Sequence, residues 1–361
     1  MAPARTDDLG SRKPRVVALG TPKYVGDDYL ADFETEFDYS VLEATNRAET
    51  IAMLPEDIGK NGSIDAFIIR MGTPPYEPFD KGLLSALAPN CKIITSASAG
   101  YNEFDVEWMA SEGIWFCNTV DAVAEATADM ALFLTLAVLR NTSNAEKSSK
   151  AGTWRAVQGL VPGRDPSGLT MGIVGMGAIG KLIFVIMQYL AKKAAVFNLK
   201  IRYHNRHQLP AEDEAKYNAV YCPTLEDLLG KSDIVSLNCP LNDQTTGLIG
   251  SAEFAAMKDG VFIVNTARGP VINEAALKDA LDSGKVARAG LDVFCDEPKP
   301  DMALVQHDNV IAQPHLGGLT DMAFQKAERE CFENIRALFK RGKPNSPVID
   351  IHDRKAKASV K

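Results

Sequence analysis

The chain has 361 residues, of which 46% are apolar and 24% charged, and its formal net charge is −8. These values are typical of a globular protein that is large enough for two domains. The acidic balance provides no basic surface for nucleic acid or for an anionic membrane, so we expect neither as a partner.

The N-terminal segment and the cysteines indicate the cellular compartment of the protein. Residues 1–13 contain no apolar core of a secretory signal, and the apolar stretch 130–139 is shorter than the ~20 residues that a membrane span needs. The six cysteines form no CxxC pair, which is typical of reduced thiols rather than of disulfides or a metal site. We therefore expect a cytoplasmic protein without a bound metal ion.

Segments typical of strands and helices alternate along the first half of the chain, which predicts a parallel α/β fold. Four β-rich runs end in small or polar residues, and they comprise residues 15–20, 66–70, 91–98 and 113–119. The stretch 122–140 is rich in Ala, Leu and Met and ends in Arg140, a pattern that predicts a helix. Because this helix is apolar nearly all round, we expect it to be buried between domains or in a subunit interface.

A more regular series of strands follows a polar, turn-rich stretch. Its short β-rich runs comprise residues 170–180, 199–206, 233–240, 260–269, 287–294 and 309–315. Helical segments separate these runs, which predicts a doubly wound nucleotide-binding sheet. Apolar residues at helical spacing predict one more helix at 321–339.

A G-x-G-x-x-G sequence stands between the strand MGIV and a helical segment, and it comprises Gly175, Met176, Gly177, Ala178, Ile179 and Gly180. Its first glycine permits a tight turn, its second lets the backbone approach a pyrophosphate, and its third allows close packing of strand and helix. The free N–H groups at the start of the helix then face the phosphates. The motif in this context predicts a dinucleotide site.

The end of the second strand of this sheet decides between NAD(H) and NADP(H). An Asp or Glu there would accept a hydrogen bond from the 2′-hydroxyl of the NAD ribose, but this chain has Asn205 and Arg206. No carboxylate repels a 2′-phosphate, and a guanidinium can pair with a phosphate through two hydrogen bonds. The sequence favours NADP(H), with NAD(H) as the alternative.

Three residues follow later strands, where an open α/β sheet binds its ligands, and they are Arg268, Glu297 and His315. Reduction of a 2-keto acid requires a cation for the carboxylate and carbonyl oxygens, a proton donor for the developing alkoxide, and a group that keeps this donor protonated. Arg268 fits the first requirement and His315 the second. Glu297 fits the third, because a carboxylate bonded to one imidazole nitrogen also determines the tautomer. The set predicts a 2-keto acid reductase.

The motifs and their order resemble those of the D-isomer-specific 2-hydroxyacid dehydrogenase family. The similarity covers roughly residues 60–340 and rests on AGYNEFD (99–105), VDAVAEATADMAL (120–132), GIVGMGAIG, VSLNCPLNDQTTGLI (235–249), VNTARGPVINEAAL (264–277), GLDVFCDEP (290–298) and PHLGG (314–318). The set formed by NTARGPVI, DVFxxEP and PHLGG is highly specific for this family.

The resemblance implies two Rossmann-like doubly wound domains in an enzyme that is usually a homodimer. A flavodoxin-like substrate domain would comprise residues 14–139 and be completed by a C-terminal helix at 321–345. Residues 140–320 would form the NAD(P)-binding domain. Residues 1–13 and 350–361 are expected to be disordered tails.

The resemblance also implies roles for individual residues. The catalytic set would be Arg268, which also holds the substrate, Glu297 and His315. The substrate carboxylate would lie against the backbone of Met71, Gly72, Ala99 and Gly100. Further cofactor contacts would come from Thr127, Thr266, Ala267, Asp292 and Gly317.

Two branches of the family fit the sequence. The cofactor signature YHNR resembles glyoxylate and hydroxypyruvate reductases, whereas PKYVGDDYL and the loop MGTPPYEPFD resemble the fungal D-mandelate dehydrogenase-like branch. Four aromatic residues either line a pocket for a bulky substrate or pack in the core, and they are Tyr76, Phe79, Tyr101 and Trp108. A different class is a dinucleotide-sensing binding protein of the co-repressor type, because those proteins resemble this family and keep the three catalytic residues.

Overall fold

The computed structural model describes residues 12–154, 162–175 and 181–352. The chain divides into two units: unit 1 comprises the chain up to Val123 and from Thr320 onward, and unit 2 comprises Ala124–Leu319. Each unit contains one parallel sheet with helices on its faces, which confirms the predicted α/β fold class.

The described residues contain twelve strands and thirteen α-helices. The strands are β1 (Arg15–Leu19), β2 (Asp38–Leu42), β3 (Ala66–Ile69), β4 (Ile93–Ser96), β5 (Trp115–Asn118), β6 (Thr170–Val174), β7 (Lys200–His204), β8 (Ala219–Tyr221), β9 (Ile234–Leu237), β10 (Val261–Asn265), β11 (Val286–Leu291) and β12 (Val310–Ala312). The helices are α1 (Asp27–Glu36), α2 (Arg47–Asn61), α3 (Lys81–Leu84), α4 (Val106–Ser111), α5 (Val120–Arg140), α6 (Thr142–Lys150), α7 (Lys181–Val196), α8 (Ala211–Tyr217), α9 (Leu225–Lys231), α10 (Ser251–Ala256), α11 (Glu274–Asp282), α12 (Met302–Val305) and α13 (Asp321–Arg341).

Unit 1 has a five-stranded sheet in the order β2-β1-β3-β4-β5, which is the flavodoxin-like order. Successive side chains of a strand point to opposite faces. Val16 and Ala18 of β1 therefore pack in one cluster with residues of α1 and α13, while Val17 and Leu19 pack in another with residues of α2, α3 and α4. Both faces of the sheet are covered, and open α/β sheets bind their ligands outside the carboxyl ends of the strands.

Unit 2 has a seven-stranded sheet in the order β12-β11-β10-β9-β6-β7-β8. Strands β6, β7 and β8 extend the sheet in one direction, and β9 to β12 extend it in the other. The order therefore reverses between β6 and β9, and open α/β sheets bind ligands in the crevice at the carboxyl ends of such strands. Strands β9 and β10 are buried along their full length, as expected when helices cover both faces.

Helix α5 confirms the predicted helix at 122–140. By length and composition alone, Asp121–Arg140 could also cross a membrane, but 61% of this stretch is buried inside the structure. Leu134 and Val138 are fully buried and pack against strands of unit 2. The apolar character of the helix is therefore that of a core helix.

Strands β2 and β8 have no counterpart in the predicted elements. Each lies at one edge of its sheet and is paired on one side only. Their burial is incomplete, since Asp38 and Val220 are exposed. Strand β2 contains polar residues and β8 has only three residues, so neither has the apolar run that marks a central strand.

The unit boundary differs from the predicted one at 139/140. The polar stretch after Arg140 resembles a linker in the sequence, but the division between the units falls within α5, at Val123/Ala124. The described residues also include parts of both predicted tails. Arg12 forms an ion pair with Asp65 at 2.7 Å, and Ile351 is buried in the core of unit 1.

Candidate active site

The loop after β6 begins the predicted dinucleotide site. Gly175 has a φ of +101°, and a Cβ at this position would lie 2.7 Å from the Cα of Cys239, which follows β9. A side chain would thus collide with backbone at the point where the strand order reverses, and only glycine fits. The predicted cofactor residues Gly177, Ala178, Ile179 and Gly180 lie outside the described residues.

The loop after β7 contains the predicted cofactor-selecting residues. The Asn205 side chain is buried and donates a hydrogen bond to the His207 carbonyl at 3.1 Å, while the Asn205 carbonyl accepts one from the Tyr221 hydroxyl at 3.0 Å. Arg206 is exposed and donates from Nη1 to Oε1 of Gln244 at 3.2 Å. Asn205 therefore shapes the loop, and Arg206 presents its charge at the surface.

The loop after β10 holds Arg268 against the loop that carries Glu297. The Asn265 side chain stabilises a tight turn, since its Oδ1 accepts from the Ala267 N–H and its Nδ2 donates to the Arg268 carbonyl, both at 3.0 Å. A Cβ on Gly269 would lie 1.9 Å from the carbonyl carbon of Phe294. Glycine at this position therefore lets the two loops come into direct contact.

Glu297 and His315 form a direct pair. Nδ1 of His315 lies 2.7 Å from Oε2 of Glu297, and Oε1 of Glu297 accepts a hydrogen bond from the Phe294 N–H at 2.9 Å. Burial acts to raise the pKa of Glu297, but the hydrogen bonds from His315 and Phe294 and the charges of His315 and Arg268 outweigh burial, so that this pKa is lowered. The carboxylate thus stays ionised beside the imidazole, and Nε2 of His315 is the ring nitrogen that faces away from the pair.

Asp292 holds the backbone around His315. Its two carboxylate oxygens accept the N–H groups of Leu316 and Gly317, both at 2.7 Å, and its carbonyl accepts the His315 N–H at 2.8 Å. His315 has a φ of +56°, a left-handed conformation that a side chain adopts only when its surroundings impose it. Burial raises the pKa of Asp292, although these N–H groups and the charge of His315 oppose the rise.

The same edge of the sheet offers polar atoms to a dinucleotide. Oγ1 of Thr266 and Oδ1 of Asn238 are buried, and neither has a hydrogen-bond partner among the described residues. Buried polar atoms are normally paired, so these two suit a polar ligand. Together with the glycine at 175, they fit a dinucleotide bound in the crevice. Thr127 also belongs to this edge, because a Cβ on Gly317 would lie 3.5 Å from it.

Known proteins that are similar to this chain belong to one family. A family model described as the NAD binding domain of D-isomer specific 2-hydroxyacid dehydrogenase matches residues 132–317. The dehydrogenase efuE of Hormonema carpetanum is 56% identical over 343 residues, which cover 95% of this chain and 84% of that protein. This chain belongs to the D-isomer-specific 2-hydroxyacid dehydrogenase family. Members are NAD(P)-dependent oxidoreductases, so the protein is an enzyme of this class.

Two solved structures of the family are similar over most of their length. A glyoxylate reductase from Paecilomyes thermophila has a TM-score of 0.84 and 33% identity, with 94% of this chain and 99% of that chain covered. The holo form of D-mandelate dehydrogenase from Rhodotorula graminis has a TM-score of 0.85 and 34% identity, with 93% and 98% covered. Both support the prediction of two Rossmann-like domains.

In this 2-hydroxyacid dehydrogenase, the predicted substrate contacts of unit 1 lie in the loops after the adjacent strands β3 and β4. The carbonyls of Ala99 and Gly100 accept hydrogen bonds from Asn118 Nδ2 at 2.6 Å and Ser98 Oγ at 2.9 Å. Gly72 has a φ of +92°, and Met71 is partly buried against the core. The N–H groups of Gly72, Ala99 and Gly100 make no hydrogen bond to another described residue, so they suit a carboxylate ligand.

Two of the four aromatic residues of the dehydrogenase are core residues. Phe79 is fully buried and stacks on Phe104, and Tyr76 is buried with its hydroxyl bonded to the Ala44 carbonyl at 2.9 Å. Trp108 is partly buried in the same cluster. Tyr101 is 41% exposed and directly follows the substrate loop at 99–100.

One backbone contact limits how a predicted cofactor residue can bind, and one residue of the site was not predicted. The Ala267 N–H already bonds to Asn265 Oδ1, so a cofactor contact from Ala267 would have to use another atom. Gln244, which accepts the hydrogen bond from Arg206, was not predicted. Its position in the stretch NDQTT gives no signal, because the pairing joins loops of strands that are distant in the sequence.

Proposed function

We propose that this enzyme uses NADPH to reduce 2-keto acids to D-2-hydroxy acids. The observation that carries the proposal is the 2.7 Å contact between His315 Nδ1 and Glu297 Oε2, in a loop adjoining the one that carries Arg268. An ionised carboxylate on one imidazole nitrogen leaves the other to transfer a proton. A guanidinium nearby supplies the fixed positive charge that a keto acid requires.

Arg268, His315 and Glu297 have different roles in the proposed reaction. Arg268 pairs with the substrate carboxylate and stabilises the negative charge that develops on the carbonyl oxygen. Nε2 of His315 donates a proton to this oxygen. NADPH, when bound, would supply the hydride that reduces the carbonyl carbon. Glu297 stabilises the protonated imidazole before transfer and keeps its orientation afterwards. The keto acid, NADPH and one proton thus yield the hydroxy acid and NADP⁺.

The cofactor preference rests on Arg206. It is an exposed cation after the second strand of unit 2, at a position where NAD enzymes of this fold carry an acidic residue. A 2′-phosphate can pair with this guanidinium. We assign the nicotinamide end to Thr127, Asp292 and Gly317, which lie at the loop that carries His315, and to Thr266, which directly follows β10.

The substrate is either a small or a bulky 2-keto acid, since the two similar structures are named a glyoxylate reductase and a D-mandelate dehydrogenase. With Tyr76 and Phe79 in the core, Tyr101 is the exposed member of the four aromatic residues. One exposed aromatic residue supports a pocket for a bulky side chain less strongly than four such residues would. We therefore place glyoxylate and hydroxypyruvate ahead of phenylglyoxylate.

Initial rates of NADPH and NADH oxidation with glyoxylate, hydroxypyruvate, 2-ketoisocaproate and phenylglyoxylate test the proposal. Faster turnover of the small acids with NADPH, and a D-configured product from each keto acid whose reduction creates a stereocentre, are the expected results. His315→Asn serves as the inactive control. Tight dinucleotide binding without turnover of any acid would contradict the proposal and favour a dinucleotide-sensing protein of the co-repressor type.

We further propose that the enzyme is a cytoplasmic homodimer, as the family resemblance suggests. Sedimentation equilibrium of the purified chain tests the assembly, with twice the chain mass of 39.1 kDa as the expected result. A single species at the chain mass would contradict it.

A further inference from the structure

The hydrogen bond between Arg206 and Gln244 spans the crevice of unit 2. Arg206 follows β7 and Gln244 follows β9, and β6 lies between these two strands in the sheet. The bond therefore joins loops on either side of β6, the strand that Gly175 directly follows. Open α/β sheets bind their ligands at this edge.

The turn that carries Gln244 is held by its own hydrogen bonds. The Gln244 N–H donates to Oδ1 of Asn242, and the Asn242 N–H donates to Oγ1 of Thr245, both at 2.9 Å. The Thr245 hydroxyl donates to the Pro240 carbonyl at 2.6 Å. Because the backbone of the turn is held in place, the Gln244 side chain reaches Arg206 from a defined position.

We propose that Gln244 determines cofactor specificity by positioning Arg206 for the 2′-phosphate of NADP(H). Its amide oxygen accepts one guanidinium N–H, which restricts the side chain and leaves the remaining N–H groups for a phosphate. A neutral acceptor does this without cancelling the positive charge. A carboxylate at the same position would pair with Arg206 and repel the phosphate. This inference rests on the proposed NADP(H) preference.

Binding of two fragments without a nicotinamide separates this role from catalysis. Titration calorimetry with adenosine 2′,5′-bisphosphate and with 5′-AMP measures the effect of the 2′-phosphate alone. Gln244→Met keeps the length of the side chain and removes the acceptor, while Gln244→Glu adds a negative charge. Gln208→Ala is the matched control, because Gln208 lies in the same loop as Arg206 and bonds to Glu214 instead.

We expect Gln244→Met to raise the Kd of the bisphosphate roughly two- to tenfold, the effect of removing one solvent-exposed hydrogen bond. Gln244→Glu should raise this Kd by more than about tenfold. The Kd of 5′-AMP should stay unchanged in both variants and in Gln208→Ala. The kcat at saturating NADPH should also stay unchanged, while the KM for NADPH rises.

Two outcomes would overturn the inference. Bisphosphate binding by Gln244→Met as tight as that of the unchanged enzyme would show that Gln244 does not act through Arg206. Equal weakening of both fragments would show that the turn has only a structural role. Equal binding of both fragments by the unchanged enzyme would instead contradict the proposed NADP(H) preference itself. The unchanged enzyme therefore tests the cofactor preference, and the variants test the role of Gln244.

Discussion

Replacement of Glu330 by Gln tests how burial of one carboxyl group affects the stability of unit 1. Glu330 lies on α13, and burial, together with the negative charge of Asp121, raises its pKa from 4.5 to about 7, although the Ser346 hydroxyl, 3.3 Å away, opposes the rise. The folded protein thus binds this proton more tightly than the unfolded chain does. The free energy of unfolding should therefore fall as the pH rises from about 4.5 to about 7, and then stay level.

The size of the effect follows from the two pKa values. A rise from 4.5 to about 7 corresponds to at most about 3.4 kcal/mol, at 1.36 kcal/mol for each pKa unit. Glu330 is only partly buried, and solvent screening reduces the value to about 1–2 kcal/mol. Glutamine has nearly the same shape and cannot ionise, so Glu330→Gln should stabilise the protein by this amount at pH 8 and change little at pH 4.5.

Thermal unfolding followed by circular dichroism between pH 4.5 and pH 8 measures the difference. At pH 8 the variant should melt about 2–8 °C higher than the unchanged protein, and at pH 4.5 the two curves should coincide. Glu112→Gln removes an exposed carboxylate of the same unit and is the control. The reasoning is refuted if Glu330→Gln lowers the melting temperature at pH 8 or leaves its dependence on pH unchanged.

Three further substitutions test unit 2. His315→Asn should lower kcat by roughly 10²- to 10⁴-fold, because it removes the proton donor, while the Kd of NADPH measured by fluorescence changes little; retained turnover would exclude His315 as the acid. Arg268→Ala should lower kcat and raise the KM for the keto acid in steady-state assays, because the guanidinium contacts the substrate before and during reduction; an unchanged KM would contradict this. Gly175→Ala should weaken NADPH binding by more than about tenfold. The added Cβ would lie 2.7 Å from the Cα of Cys239, and the backbone φ of +101° disfavours any side chain. An unchanged affinity for NADPH would mean that the loop can move aside.

Much of the architecture could be predicted from local patterns. Central strands such as β9 and β10 are short apolar runs, because helices cover both faces of the sheet. The edge strands β2 and β8 could not. Each is paired on one side only, which permits polar residues in β2 and an exposed Val220 in β8, a strand of only three residues. The division between the two units also differs from the predicted boundary. A polar stretch after Arg140 resembles a linker, but contacts along α5 decide the division.

The candidate site, like the fold, could be predicted from the sequence only in part. The sequence by itself determined which side chains follow the strands, because each strand of a parallel sheet brings its carboxyl end to one edge. Arg268, Glu297 and His315 could be chosen on this basis. Only the tertiary structure decided what each group contacts: Tyr76 and Phe79 are core residues, the Ala267 N–H is already bonded, and Gln244 meets Arg206. These contacts depend on the order of strands in the sheet and on close approach of loops, and neither is encoded in the local periodicity of the chain.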